Sequence, residues 1–157
     1  MRDEQSMTVQ QLVESAQKDR FALIIPETEE FFARQHLEEI LSIYPCSGIL
    51  VERNTPRVLY HGIRLGSGVV ESILRDGLRP SAPDNDYLTF GGGVIYCYPS
   101  TRHFQFTRMA VFAVYAQKYL QAIYKDDADE FEDGWDEALV FPEDVIQIEL
   151  CRAEVPE

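Results

Sequence analysis

The sequence predicts an α+β fold in one domain, and two patterns carry that expectation. Short runs rich in β-branched and aromatic residues, such as Val94-Ile95-Tyr96-Cys97-Tyr98 and Val145 to Leu150, are bounded by Gly, Pro or acidic residues, as strands are. Elsewhere apolar residues recur at helical spacing, as in Val69, Val70, Ile73 and Leu74. A chain of 157 residues that is 45% apolar has the material for one core.

In chain order, Thr8 and Gln11 have capping-box spacing and open a helix carrying Val9, Leu12, Val13 and Ala16 through about Lys18. Phe21 to Ile25 is an apolar run stopped by Pro26, and Thr28 caps an expected helix with Phe31, Phe32, Leu37, Ile40, Leu41 and Tyr44. Gly48 to Glu52 adds a strand, so Arg20 to Glu52 reads as a β-α-β unit without a phosphate-binding glycine signature. Arg57 to His61 is a strand ending at Gly62, and the helix that follows closes at Gly77. Pro80 to Asp86 is a polar loop, and Gly91-Gly92-Gly93 leads into the strand around Tyr96. From Arg102 to Tyr124 the apolar residues keep a helical period without internal Gly or Pro, which makes this the longest expected helix. Asp126 to Glu137 is acidic and expected to be a solvated loop, and Ala138 to Phe141 and Val145 to Leu150 are strands around a Pro142-Glu143-Asp144 turn.

The net charge of −13 argues against non-specific nucleic-acid binding and against anionic lipid, since both need clustered Lys and Arg. Cys46, Cys97 and Cys151 are widely spaced and odd in number, which indicates neither a disulfide framework nor a zinc ribbon. The first 20 residues are polar and no run approaches the roughly 20 apolar residues of a membrane span, so a cytoplasmic location, or a nuclear one, is expected.

Three features stand at strand ends: Tyr60-His61-Gly62, the glycine-rich approach to Tyr96, and Glu137 at the opening of the penultimate strand. With His61-Gly62-Ile63-Arg64, Ile73-Leu74-Arg75-Asp76-Gly77-Leu78-Arg79 and Gly93-Val94-Ile95-Tyr96 in this order, the segment from Val58 to Leu150 resembles the catalytic domain of the poly(ADP-ribose) polymerase family, the His-Tyr-Glu class of ADP-ribosyltransferases. The resemblance implies split antiparallel β-sheets with flanking helices over residues 56–151, preceded by an N-terminal helical and β-α-β extension over 1–55. It implies NAD as substrate, release of nicotinamide, and transfer of a single ADP-ribose unit to a protein or other acceptor, or to water. No metal is implied.

By that resemblance Glu137 is the catalytic carboxylate, accepting a hydrogen bond from the nicotinamide ribose and supporting the cationic transition state. His61 would bond the adenosine-side ribose and the backbone of Gly62 the nicotinamide amide. Tyr96 would offer a ring face to nicotinamide, with Phe104 or Phe106 as the opposite wall. Arg64 and Arg79 are candidates for the pyrophosphate or adenine, and Ser100 for the carboxamide. Tyr96 and Tyr98 share a strand face, so either could point into the cleft. Ile63 and the one-residue longer approach to Tyr96 depart from the family pattern, and Trp135, two before Glu137, lacks the acidic or Gln residue of the arginine-specific enzymes. The contrasting expectation is a degenerate fold of the same type acting as an acidic protein-interaction module. His36, His61 and His103 lack metal-ligand spacing, and the glycine run precedes a strand rather than opening a helix, which disfavours a metal hydrolase and a Rossmann oxidoreductase.

Overall fold

Thr8 opens the first element through the expected capping box. Its Oγ1 accepts from the Gln11 N–H at 3.1 Å, and the Gln11 side chain accepts from the Thr8 N–H at 2.9 Å. In the computed structural model, which describes residues 7–18, 23–46, 48–66, 68–80, 93–104, 109–124 and 137–152, this cap starts α1 (Val9–Ser15). The helix ends before Lys18 because Gln17–Lys18 instead forms β1, paired antiparallel with β2 (Leu23–Ile25).

The single helix expected after Thr28 is two short ones, α2 (Glu30–Gln35) and α3 (Leu37–Ile43), which meet at His36. Thr28 lies inside a 3-10 turn, Glu27–Glu29, that Pro26 initiates, and no side chain caps α2. What holds α2 to the sheet is Arg53, which forks onto Glu30 at 2.6 and 2.9 Å and donates from Nε to Gln121 at 2.8 Å. The Arg53 hydrogen bonds keep the Glu30 carboxyl below the usual glutamate range against the opposing effect of burial.

The β-α-β expectation holds: β3 (Gly48–Arg53) lies parallel to β2. β3 also pairs antiparallel with β7 (Tyr119–Tyr124), so the strands before residue 55 belong to the same sheet as those after it. The six-stranded sheet runs β1-β2-β3-β7-β8-β5, with β8 Ala138–Val140 and β5 Ile95–Cys97. A three-stranded sheet runs β4-β6-β9, with β4 Arg57–Arg64, β6 Met109–Ala116 and β9 Val145–Arg152. Among the described residues every strand pairing is antiparallel except β2 with β3. α4 (Val69–Asp76) ends as expected at Gly77, whose φ of 88° is left-handed and suits glycine. The architecture is thus α+β, with sheets dominating.

The long helix expected over Arg102–Tyr124 is overturned. Its residues form β6 and β7, joined through Gln117 and Lys118 and preceded by a 3-10 turn at Thr101–Phe104. β6 is the central strand of its sheet and is buried on both faces almost throughout, so its apolar residues do not alternate with polar ones. Such a run, with Met and Ala at several positions, also satisfies a helical period. Phe106, Gly91, Gly92, most of the Pro80–Asp86 loop and the acidic segment before Glu137 lie outside the described residues.

The faces of the large sheet carry separate cores. Ile25, Ile49, Val51 and Ile123 pack under α1 to α3. On the same side, Ile95, Cys97, Ala138 and Val140 pack against Leu59 and Val114 of the smaller sheet. Ile24, Leu50, Leu120 and Leu139 face the other way, with Tyr96, Tyr124 and Phe141 against them. Among the described residues no helix is long and apolar enough to cross a membrane.

A Cβ at Gly48 would run into the backbone carbonyl of Ile123, an atom that moves only if the β3–β7 pairing shifts. Gly48→Ala is therefore expected to lower the unfolding free energy by about 2–3 kcal/mol in urea denaturation. A cost under about 0.5 kcal/mol would show that this register is not the one in solution.

Candidate functional site

The site forms where the two sheets join and part. β5 continues into Tyr98, which exchanges both backbone hydrogen bonds with Tyr60 of β4 at 2.8 Å each. In an antiparallel strand alternate residues bond the same neighbour, so Tyr60, Gly62 and Arg64 point their amides away from β6 and towards the β5 side. The next backbone bridge would link Gly62 to Tyr96. Instead the His61 ring occupies that step, with Nδ1 at 2.6 Å from the Tyr96 carbonyl oxygen.

A carbonyl only accepts, so Nδ1 carries the proton and Nε2 presents a lone pair. Burial of the ring holds its pKa below the ordinary histidine value, against the opposing effect of the Tyr96 bond, and favours this neutral form.

Glu137 precedes β8, and its backbone carbonyl accepts from the Ala122 N–H at 2.9 Å. Tyr98 stands opposite it, one step beyond the Cys97–Ala138 pair, and Tyr124 is the diagonal neighbour on β7. Both hydroxyls donate to the carboxylate: Tyr98 to Oε2 at 3.3 Å, and Tyr124 to Oε1. Burial raises the Glu137 pKa above the usual glutamate value, and the tyrosine hydrogen bonds oppose this without cancelling it. The same carboxylate, after burial, pushes the Tyr98 hydroxyl and the Cys97 thiol upwards, so both stay protonated and Cys97 is no nucleophile at neutral pH.

The candidate residues form two local groups, one at His61 and one at Glu137, with a change of partner. His61 meets the backbone of Tyr96, whereas the Tyr96 side chain packs with Tyr124 and Phe141 on the Leu139 face. The tyrosine in contact with Glu137 is Tyr98. The sequence admits either tyrosine, with Tyr96 the expected one, and does not reveal Tyr124, because the residues of β7 keep a helical period. Phe104 is buried, lies edge-to-face with Tyr98 at 5.7 Å and covers Gly62, where a Cβ would come within 2.5 and 2.8 Å of its ring. Arg152 fixes its carbonyl at 2.7 Å. Ser100 is half-buried in the bend before that turn, whereas Arg64 and Arg79 are exposed, at the end of β4 and beyond α4.

Two cavities of about 300 Å³ open elsewhere, one at the Tyr119 end of β7 and one between α4 and β9, and His61, Tyr96 and Glu137 line neither. Among the described residues no group of three or more His, Cys, Asp or Glu is placed to hold a metal ion. No protein-family model, curated protein or solved structure matches this chain.

The raised Glu137 pKa has a consequence for stability. With the folded value above the unfolded one, the folded state binds the proton more tightly, so stability is fully present at low pH and falls as pH rises through that interval. Glu137→Gln removes this loss and keeps an acceptor for the tyrosines. The variant is expected to melt above wild type at neutral pH, with the gap closing as pH falls below the ordinary glutamate range. A gap that persists unchanged at low pH would contradict the assignment.

Proposed function

We propose that the protein binds NAD and cleaves its nicotinamide glycosidic bond, as an ADP-ribosyltransferase-like fold of the His-Tyr-Glu class, and passes one ADP-ribose unit to a protein or other acceptor, or to water. The observation that carries the reading is the pair of poised groups flanking β5: a neutral imidazole at the split between β4 and β5, and a partly buried carboxylate held by two tyrosine hydroxyls. The resemblance of Val58 to Leu150 to that family supports the same roles.

In this mechanism the bond between ribose C1′ and the pyridinium nitrogen breaks, and its electron pair leaves with nicotinamide. Glu137 accepts a hydrogen bond from the ribose hydroxyl, which places a partly buried negative charge beside the developing cation. An acceptor hydroxyl, amine or water then attacks C1′, and the carboxylate takes up the proton released. Nε2 of His61, fixed as a lone-pair acceptor, receives a hydroxyl hydrogen bond from the other ribose. The outward N–H and carbonyl of Gly62 pair with the carboxamide at the strand edge.

Glu137→Gln is expected to lower nicotinamide release by about 10²–10³ with a small change in KM. Tyr98→Phe is expected to lower kcat more than Tyr96→Phe does, since Tyr98 contacts the carboxylate. Wild-type activity should fall on the acid side as Glu137 gains a proton, with a midpoint above the ordinary glutamate value. Dependence of release on added cell protein distinguishes transfer from hydrolysis.

One observation favours the second reading, an inactive fold acting as an acidic interaction module: the Phe104 ring lies on Gly62 where a ligand would approach from that face. Under that reading NAD neither raises the melting temperature nor is consumed. Either effect, abolished in Glu137→Gln or His61→Ala, upholds the enzyme.

A further inference from the structure

The cavity at the opposite end of β7 and β8 from Glu137 has a chemistry of its own. It measures about 300 Å³, within reach of the smallest ligand pockets, and its apolar lining is Ile24, Leu120 and Phe141. Three carboxylates, Glu52, Glu143 and Asp144, line it with a single cation, Lys118.

Asp144 sets this place apart from a solvated acidic surface. It is the one charged residue classed as buried among the described residues, with 4% of its surface exposed. Its Oδ1 accepts from the Gln117 side-chain amide at 3.1 Å. Among the described residues no cation lies within ion-pairing distance of its carboxylate, Lys118 included, and the second oxygen, open to solvent, has no protein partner. A carboxylate held on one side by a neutral amide, with its other oxygen facing the cleft opening, offers that oxygen to a positive group.

We infer that this cleft binds an organic cation on an apolar stem, the arginine side chain of a basic peptide. The three carboxylates against one lysine exclude an anion, and a neutral group would leave the Asp144 oxygen unbalanced. A guanidinium is planar, so it can lie on the Phe141 ring while its fork donates to Asp144, and its methylenes meet Ile24 and Leu120. The net charge of −13 draws basic peptides towards the protein as a whole. Phe141 is four residues from Glu137, about 13 Å along an extended strand, so the cleft is separate from the split between β4 and β5.

The test is a titration of the full-length protein with N-acetyl-arginine amide, its neutral citrulline analogue and N-acetyl-lysine amide, followed by calorimetry and by amide shifts from Phe141 to Val145. The arginine compound should saturate on the order of millimolar, and citrulline should bind about tenfold more weakly or not at all. Asp144→Asn, which can keep the Gln117 hydrogen bond, should weaken arginine by about tenfold, whereas Lys118→Met should tighten it by about threefold at low salt. Equal shifts from arginine and citrulline, or an unchanged affinity in Asp144→Asn that melts like wild type, would overturn the site. Lysine binding as well as arginine would overturn the planar recognition. If Asp144→Asn unfolds, Lys118→Met and Glu52→Gln decide by the sign of their opposite effects. Glu137→Gln should bind arginine as wild type does, so this inference and the NAD reading stand or fall separately.

Discussion

The fold turns on a single backbone exchange between Tyr60 and Tyr98. It ties the three-stranded sheet to the six-stranded one at the end of β5, and immediately beyond it the two strands separate. Had the pairing continued, Gly62 and Tyr96 would satisfy each other and no polar edge would remain. The His61 imidazole prevents this by taking the Tyr96 carbonyl for itself. An obligatory hydrogen bond is thus met by a side chain, and a strand edge is left open without leaving that carbonyl orphaned.

Keeping two strands apart requires that their other contacts be firm. β4 is paired with β6 along all eight of its residues, and β6 is held on its far side by β9. β5 is short, but Ile95 and Cys97 are buried against Leu59 and Val114, so apolar packing fixes the distance between the sheets just below the split. Farther along the same face of the large sheet, Arg53 clamps α2 against β3 and β7, and Ile123 lies buried beneath the helices. β7 is the common member: its Ile123 belongs to the helical layer, and its Tyr124 reaches Glu137.

How much of this could be read beforehand depends on whether a signal is local. The capping box at Thr8, the stop at Gly77 and the β-α-β unit are set by neighbouring residues, and each appears as expected. β6 and β7 were missed because a strand buried on both faces has no alternation to show, and only the strands flanking it reveal its identity. The misreading also hid Tyr124, since a residue assigned to the end of a long helix cannot be placed diagonally across a sheet from Glu137. Tyr96 and Tyr98 were correctly put on one face, but their roles depend on which of them passes the end of β8, a matter of register rather than of composition. Glu137 itself could be separated from its acidic neighbours only by resemblance, because partial burial leaves no mark in a run of like charges.

Glu137 bears most directly on whether the chain is an enzyme or an interaction module. A half-buried carboxylate whose pKa is raised is a net cost to the folded state at neutral pH, even with two tyrosine donors on it. Glutamine would accept the same two hydrogen bonds without that cost, so packing and hydrogen bonding alone give no reason for a charge at this position. The carboxylate and the His61 imidazole flank β5, one held through Tyr98 and the other through the Tyr96 carbonyl. A glycosyl-transfer site uses such a carboxylate where water is scarce, because a charge stabilises a developing cation more strongly there than in water. The partial burial of Glu137 supports the proposed reading as an enzyme, and under the inference drawn for the Asp144 cleft, at the other end of the same strands, a basic partner would be held apart from it.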